Sequence, residues 1–230
     1  MTQKIKYKLM KGILIGSLIL IAGVIVFVVI PTQKNKNMNF RQRATKLFYP
    51  VIMKVSKSTI LSNVGEQQIK PVVNFYSLGI QLINGTMLDF STLKGKKIMI
   101  VNTASDCGFT GQYEELESLY QQHKDSLVII GIPANDFANQ EKYSNEKIAG
   151  FCKINYGVTF PLAEKGIVIK NSNQLSLYKW LSDKSLNGWN DQAPTWNFCK
   201  DIIDENGTLT YFLNSSVSPL GKECKKALGF

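Results

Sequence analysis

The chain has 230 residues, 44% of them hydrophobic, and a formal net charge of +10, which suits one domain of ordinary size with an appendage. Eleven of the 27 basic residues lie in residues 1–57, which hold no acid, so the remainder is nearly neutral, with sixteen basic residues against seventeen acids. A basic surface for DNA or RNA would have to lie in this first segment, and we expect no nucleic-acid partner.

Residues 12–30 are uncharged and strongly apolar, GILIGSLILIAGVIVFVVI. As a helix they would span about 28 Å at ~1.5 Å per residue, close to the hydrocarbon thickness of a bilayer. A cleaved signal peptide is the alternative, but the run ends without a small-x-small cleavage pattern. We therefore predict one N-terminal transmembrane helix over 12–30, preceded by a basic tail over 1–11.

The orientation of this anchor is less clear, because basic residues lie on both sides of the run. The positive-inside rule therefore gives opposed indications. A short basic tail usually stays in the cytoplasm, which would place the rest of the chain on the other side of the membrane, in the periplasm. We expect a single-pass membrane protein with an extracytoplasmic domain.

Residues 31–70 are interpreted as a basic linker that contains an amphipathic helix. Within residues 39–57 the apolar positions follow a helical spacing and form one face, with basic residues on the other side. The apolar positions are Phe40, Ala44, Leu47, Phe48, Val51, Ile52 and Val55. Pro50 should kink or divide this helix. Two placements stay open: the helix lies on anionic lipid, or it packs its apolar face on the following domain.

From residue 71 onward the pattern is that of a globular domain, which we place over 71–230. Two apolar runs lead into the turn Asn84-Gly85, typical of a hairpin. Strand, helix, strand, helix and helix are then predicted, followed by a second hairpin around Asn206-Gly207 and a short helix from residue 218. The predicted ranges are 97–103, 110–124, 127–133, 145–156 and 175–184, with hairpin strands at 197–203 and 208–213. This order predicts an α/β fold with a mixed central sheet flanked by helices.

The four cysteines are Cys107, Cys152, Cys199 and Cys224, and no two of them form a C-x-x-C pair. A zinc site or a thioredoxin-type redox pair therefore has little support, and we expect no metal or other cofactor. The single histidine, His123, lies in a polar stretch that ends a predicted helix. We expect it at the surface, which would exclude hydrolases built on Cys-His or Ser-His.

Cys107 stands where the strand over 97–103 ends and the next helix begins. Free backbone N–H groups and the helix dipole favour a thiolate there, lowering the thiol pKa from about 8.5 by one or more units. Gly108 allows a substrate to approach the backbone closely. Cys107 is therefore a candidate nucleophile, although a buried structural cysteine at a strand end fits the same pattern.

Further motifs distinguish these two interpretations. The stretch Asn102-Thr-Ala-Ser-Asp-Cys-Gly-Phe-Thr110, with Tyr113 after it, resembles the active-site signature of the glutathione peroxidase family. The resemblance continues in order through the motifs at 131–141, 151–161, 177–181 and 196–198 and covers roughly residues 71–226. It implies a thioredoxin-like fold and the reduction of hydroperoxides.

The resemblance also implies roles for particular residues. Cys107 matches the peroxidatic position, and Gln140, Trp196 and Asn197 match its hydrogen-bond donors, which could stabilise a thiolate and the departing peroxide oxygen. Cys152 matches the resolving position of members that use thioredoxin instead of glutathione, so we expect thioredoxin as the reductant. Cys152 could also be a small buried apolar residue.

The chain departs from the family pattern at several positions. Ala134 replaces a frequent cysteine, Asp136 replaces a commoner glutamine, and Cys199 stands where threonine is frequent. Cys199 could be a bystander or a competing resolving thiol, and we expect Cys224 to be structural. Residues 183–193 leave little room for an oligomerisation loop, which favours a monomer.

The implied cycle begins when hydrogen peroxide or an organic hydroperoxide oxidises Cys107 to sulfenic acid. Lipid hydroperoxides are suggested by the membrane location alone. Cys152 then forms a disulfide with Cys107, which requires its helix to unwind locally. The alternative function is a membrane-tethered thioredoxin-fold redox sensor or disulfide carrier, although a carrier normally has the C-x-x-C pair that this chain lacks.

Overall fold

The structure, a computed structural model, describes residue 23 and residues 37–65 and 68–230. The basic tail predicted over 1–11 and, apart from Gly23, the anchor predicted over 12–30 lie outside the described residues. Within the part of the chain that is described, no helix is both long enough and apolar enough to cross a membrane.

The described residues form six α-helices and seven strands. The helices are α1 (Phe40–Val55), α2 (Gln112–His123), α3 (Asn145–Tyr156), α4 (Ser176–Leu181), α5 (Lys184–Asn187) and α6 (Lys222–Leu228). The strands are β1 (Ile60–Ser62), β2 (Gly79–Gln81), β3 (Met87–Asp89), β4 (Lys97–Thr103), β5 (Leu127–Pro133), β6 (Lys200–Ile203) and β7 (Leu209–Leu213). Short 3-10 helices cover Phe75–Ser77 and Phe90–Leu93.

The central sheet has five strands in the order β1-β7-β6-β4-β5, and β2 and β3 form a separate hairpin. β4 and β5 run parallel, whereas the other neighbouring pairs are antiparallel. The predicted mixed sheet with flanking helices is therefore confirmed, and its connectivity is thioredoxin-like. Six of the seven residues of β4 and all of β5 are buried, because helices cover both faces of the sheet.

Side chains of β4 alternate between two cores. Met99 and Val101 belong to the cluster beneath α2, α3 and α6, and Ile98 and Ile100 belong to the cluster beneath α4 and the β2–β3 hairpin. This alternation follows from the period of two residues in a strand. The apolar pattern of the sequence thus predicted β4, β5 and α3 with their observed bounds.

Two elements show the largest differences from the sequence-based prediction. The helix expected over 175–184 ends at Leu181, and α5 follows separately, because the Asp183 carboxylate accepts a hydrogen bond from the Ser185 N–H and caps a new helix. The edge strand β1 comes from the segment interpreted as a linker: Leu61 pairs with Phe212 of β7. All three residues of β1 are exposed, so no alternating pattern marked it.

α1 begins with a capping box in which Asn39 and Gln42 bond each other's backbone N–H groups. Pro50 does not divide the helix, which continues to Val55. The helix packs on the domain mainly through its polar side, where Gln42 and Arg43 are buried. Of the predicted apolar face, Ala44, Leu47 and Ile52 are half-buried. Tyr49 takes part in this contact by donating a hydrogen bond to Glu115 of α2.

Candidate active site

The ends of three strands bring the candidate residues together. Thr103 pairs with Pro133 at the carboxyl ends of the parallel strands β4 and β5, so the loops that follow these strands leave the sheet at one edge. β6 runs antiparallel to β4, and its first residue, Lys200, pairs with Val101. The residues before β6 therefore reach the same edge. Cys107, Gln140 and the Trp-Asn pair belong to these three segments.

A tight turn holds Cys107 between β4 and α2. The Thr110 hydroxyl accepts a hydrogen bond from the Cys107 N–H at 3.1 Å and donates one to the Cys107 carbonyl at 2.7 Å. The Phe109 N–H lies 3.4 Å from the Cys107 sulfur and donates to it. α2 begins at Gln112, two residues later than predicted, so this donor belongs to the turn and not to the helix.

The polar side chains of Trp196 and Asn197 lie near the Cys107 sulfur and, as potential hydrogen-bond donors, act to lower the pKa of its thiol. Asn197 Nδ2 donates to Gln140 Oε1 at 3.0 Å, and the Gln140 carbonyl accepts a hydrogen bond from the Asp106 N–H at 3.1 Å. The structure thus brings together the thiol and the three donors predicted for it. Gln140 reaches the sulfur through Asn197 in this conformation.

Left-handed backbone flanks both amide side chains. Ala138 and Asn139, just before Gln140, have φ values of 49° and 54°, and Phe198, just after Asn197, has a φ of 69°. Residues other than glycine adopt this region rarely and at some cost in free energy. Surrounding contacts hold Phe198 in place: its N–H donates to the Asn102 carbonyl at 2.6 Å. The left-handed backbone at these residues places Asn197 and Gln140 next to the turn that carries Cys107.

The Cys107 pKa corrects a sequence-based expectation. The sequence predicted a lowered pKa, whereas burial raises it to about 11, even though the donors Phe109 N–H, Trp196 and Asn197 and the charge of Arg41 all act to lower it. The thiol has no exposed surface in this conformation. The cost of placing a negative charge in an apolar interior therefore outweighs the stabilisation that three donors supply.

Cys152 lies on the buried side of α3, and burial raises the pKa of its thiol to about 12. The nearby hydroxyl of Tyr113 acts in the opposite direction. Cys107 and Cys152 belong to the same core cluster, but both are free thiols. The Cys152 carbonyl accepts the Val158 N–H at 3.3 Å, so Cys152 is part of an intact helix that would have to open before a disulfide could form.

The remaining cysteines and the histidine lie outside this group of donors. Cys199 is buried next to Thr195, whose hydroxyl is 3.9 Å from its sulfur. Cys224 belongs to the core on α6. His123 ends α2 and stacks on the ring of Phe230 at a centroid distance of 3.7 Å. The site is built without histidine.

Glu141 has a part in the site that the sequence did not suggest, since a glutamate in a loop usually lies in solvent. Its Oε2 accepts hydrogen bonds from the N–H and the hydroxyl of Ser105, both at 2.8 Å. Burial raises the pKa of the carboxyl to about 7, although the Ser105 hydrogen bonds act to lower it. Glu141 therefore ties the segment after β5 to the turn that carries Cys107.

α1 also contacts the site. Asn39 Nδ2 donates to Asp106 Oδ1 at 3.3 Å, and Ile52 Cδ1 would lie 3.2 Å from a Cβ placed on Gly108. α1 thus lies against both neighbours of Cys107. Its apolar periodicity predicted a helix but not this location.

The arrangement suits nucleophilic thiol chemistry. A thiol that becomes a thiolate would be stabilised by an indole N–H, an amide and a backbone N–H, and the same donors could bond an oxygen that leaves from a substrate at the sulfur. Among the described residues, no three Cys, His, Asp or Glu side chains are grouped so that they could hold a metal ion.

Residues 75–182 match the family model described as glutathione peroxidase. The chain is 42% identical to "Glutathione peroxidase-like peroxiredoxin 2" of Saccharomyces cerevisiae over 64% of its own length and 90% of the yeast protein. It is 40% identical to a "Glutathione peroxidase" of Lactococcus lactis, over 68% of its own length and all of that protein. The solved structure of Trgpx in apo form is similar, with a TM-score of 0.52 and 32% identity over 69% of this chain and 97% of that one.

Proposed function

Because the chain belongs to the glutathione peroxidase family and is a thiol-dependent peroxidase that reduces hydroperoxides, we propose that Cys107 is the residue that the hydroperoxide oxidises. One observation carries this assignment: the Cys107 sulfur accepts a hydrogen bond from the Phe109 N–H at 3.4 Å and lies beside Trp196 and Asn197, which act to lower the pKa of its thiol. Asn197 is in turn bonded to Gln140 at 3.0 Å.

The first step is attack of the Cys107 thiolate on one oxygen of the peroxide. The S–O bond forms, the O–O bond breaks, and the departing oxygen takes a proton and leaves as water or an alcohol, so the sulfur becomes sulfenic acid. The donors to the sulfur favour loss of the thiol proton, and they can then bond the departing oxygen.

Cys152 is the resolving thiol in this proposal. Its sulfur attacks the Cys107 sulfenic acid, water leaves, and a disulfide forms between the two cysteines. The core of the domain contains both thiols, but Cys152 is held in α3, so the step requires local unwinding of that helix. A dithiol protein of the thioredoxin kind then reduces the disulfide by exchange. No bound cofactor is needed, and a monomer suffices.

The proposed location is a membrane, with residues 12–30 as a single-pass anchor and the peroxidase domain on the periplasmic side. The nineteen uncharged residues of that run support this proposal. Carbonate extraction of membranes that contain the full chain should leave it in the pellet, and added protease should cleave it only from the extracytoplasmic side. Release into the supernatant would contradict the anchor.

Steady-state peroxide consumption by the full chain with thioredoxin and its reductase tests the assignment. Cys107→Ser should abolish turnover, and Cys152→Ser should stop it after one oxidation of Cys107. Cys199→Ser is the matched control and should retain turnover. If mass spectrometry finds a Cys107–Cys199 disulfide instead, the resolving thiol is Cys199. If the native chain consumes peroxide no faster than Cys107→Ser, the protein is a redox sensor or carrier and not a peroxidase.

A further inference from the structure

α1 has two faces of different character, and the inward face is the polar one. Lys46 forms an ion pair with Glu114 at 2.7 Å, and Tyr49 donates a hydrogen bond to Glu115 at 2.5 Å. The Lys46 ammonium also lies 4.5 Å above the ring of Tyr156. These contacts fix the rotation of α1 about its axis and therefore decide which side chains point outward.

The outward face is apolar. Phe40, Phe48, Val51 and Val55 are 63%, 49%, 58% and 77% exposed. Their spacing of eight, three and four residues places them on one side of the helix. Exposed apolar side chains are ordinary when they are isolated, but a continuous stripe indicates an interaction surface. A stripe along one side of a helix suits a broad apolar layer.

The charges that α1 and its flanking residues carry are all of one sign. Lys54 and Lys57 are exposed, and residues 1–57 contain no acid. A basic amphipathic helix with an apolar face is the combination that binds the interface of an anionic bilayer. A second copy of this helix, by contrast, would bring the same positive charges against each other.

The distance along the chain also supports a bilayer. Only residues 31–39 separate the uncharged run over 12–30 from Phe40. Nine residues span at most about 30 Å when fully extended. If the uncharged run enters a bilayer, α1 cannot lie far from the surface of that bilayer.

We propose that the stripe Phe40, Phe48, Val51 and Val55 docks on the surface of an anionic bilayer while the polar face of α1 holds the peroxidase domain. The stripe enters the boundary between headgroups and acyl chains, and Lys54 and Lys57 lie among the headgroups. The domain is thereby oriented on the membrane with the Cys107 turn on the inner side of α1. The anchor alone would leave the domain free to rotate.

Photo-cross-linking of the full chain in vesicles tests this proposal. Val51 is replaced by p-benzoylphenylalanine, the protein is reconstituted in phosphatidylcholine with about 30% phosphatidylglycerol, and cross-links are identified by mass spectrometry. Met87, which is 66% exposed on the β2–β3 hairpin, is the matched control position. We expect lipid cross-links at position 51 in large excess over position 87.

Charge provides the second arm of the test. Each exposed lysine that leaves the surface should lower the lipid cross-link yield at position 51 by about fivefold, so Lys54→Gln with Lys57→Gln should lower it strongly, as should vesicles of phosphatidylcholine alone. Lipid cross-links no more frequent at 51 than at 87, or cross-links from 51 to a second copy of the chain, would overturn the proposal. Peroxide consumption of the same samples reports the peroxidase function separately.

Discussion

At Cys107, burial and hydrogen bonding act on the thiol in opposite directions. Burial dominates and raises the pKa to about 11, while the donors Phe109, Trp196 and Asn197 lower it. In this buried conformation, Cys107 is therefore a protonated thiol at neutral pH. The donors can support a thiolate fully only when the apolar cover over the sulfur loosens or a polar substrate enters.

The pKa of Glu141, another single residue, predicts that the stability of the folded chain depends on pH. Its pKa of about 7 in the folded chain exceeds the ordinary value of 4.5, so the folded state retains a proton that the unfolded chain has lost. The stabilisation is fully present below pH 4.5 and disappears as the pH rises through about 7.

Because of Glu141, the free energy of unfolding should fall by up to about 3 kcal/mol between pH 5 and pH 8. Glu141→Gln, which keeps an oxygen acceptor for Ser105, should remove this fall. Urea unfolding of both proteins at each pH measures this difference. The exposed carboxylate of Glu164 provides the control, since Glu164→Gln should leave the pH dependence unchanged. If the unfolding free energies of the native chain and of Glu141→Gln change equally with pH, Glu141 is ionised over the whole range.

Among the elements, we expect α3 to limit how fast the proposed disulfide can form, because the helix would have to unwind to release Cys152. The helix contains a glycine, Gly150, at which an added Cβ would meet nothing within 4 Å. Glycine inside a helix costs about 0.5–1 kcal/mol relative to alanine. Gly150 therefore makes α3 easier to open without creating any contact of its own.

Gly150→Ala should stabilise α3 and slow formation of the Cys107–Cys152 disulfide by up to about fivefold, while the first oxidation of Cys107 keeps its rate. Rapid mixing with one equivalent of peroxide, followed by acid quenching and thiol counting, resolves the two steps. Ser118→Ala is the matched control, because it strengthens α2, which carries neither thiol. If Gly150→Ala leaves the second step unchanged, opening of α3 does not limit it.

At the scale of the whole molecule, α1 joins a segment outside the family motifs to the turn that carries Cys107. Gly111 adopts an ordinary right-handed conformation, but a Cβ there would overlap the side chain of Tyr49 on α1. The methyl group of an alanine at this position would therefore push α1 away from the domain, without straining the local backbone.

Gly111→Ala should displace α1, lower the Cys107 pKa toward its ordinary value and accelerate alkylation of Cys107 by at least about fivefold, the effect expected from overpacking a close contact. Iodoacetamide labelling followed by peptide mass spectrometry measures the rate for each cysteine. Gly150→Ala, where the added methyl group meets no neighbour, is the control for the substitution itself. An unchanged labelling rate would show that α1 does not limit access to Cys107.

The amino-acid sequence alone predicts the mixed α/β sheet, the bounds of β4, β5 and α3, and the family. These features depend on apolar periodicity and on motifs, both of which are local in the chain. The motifs also predicted that Cys107, Gln140, Trp196 and Asn197 form one group. Cys152 could be proposed as a partner for the same reason, and its role stays a prediction.

The other features depend on how the elements pack in the folded chain. The strand β1 has no pattern of its own, because a short exposed edge strand is defined by its partner β7. The raised pKa of Cys107 and the burial of Glu141 depend on neighbours that are distant in sequence. The sequence left the placement of α1 open, and its rotation is decided by the ionic and hydrogen-bonding partners that Lys46 and Tyr49 have on α2. Burial is a property of the assembled molecule. Periodicity shows that a helix has two faces, but it does not show which face packs against the domain.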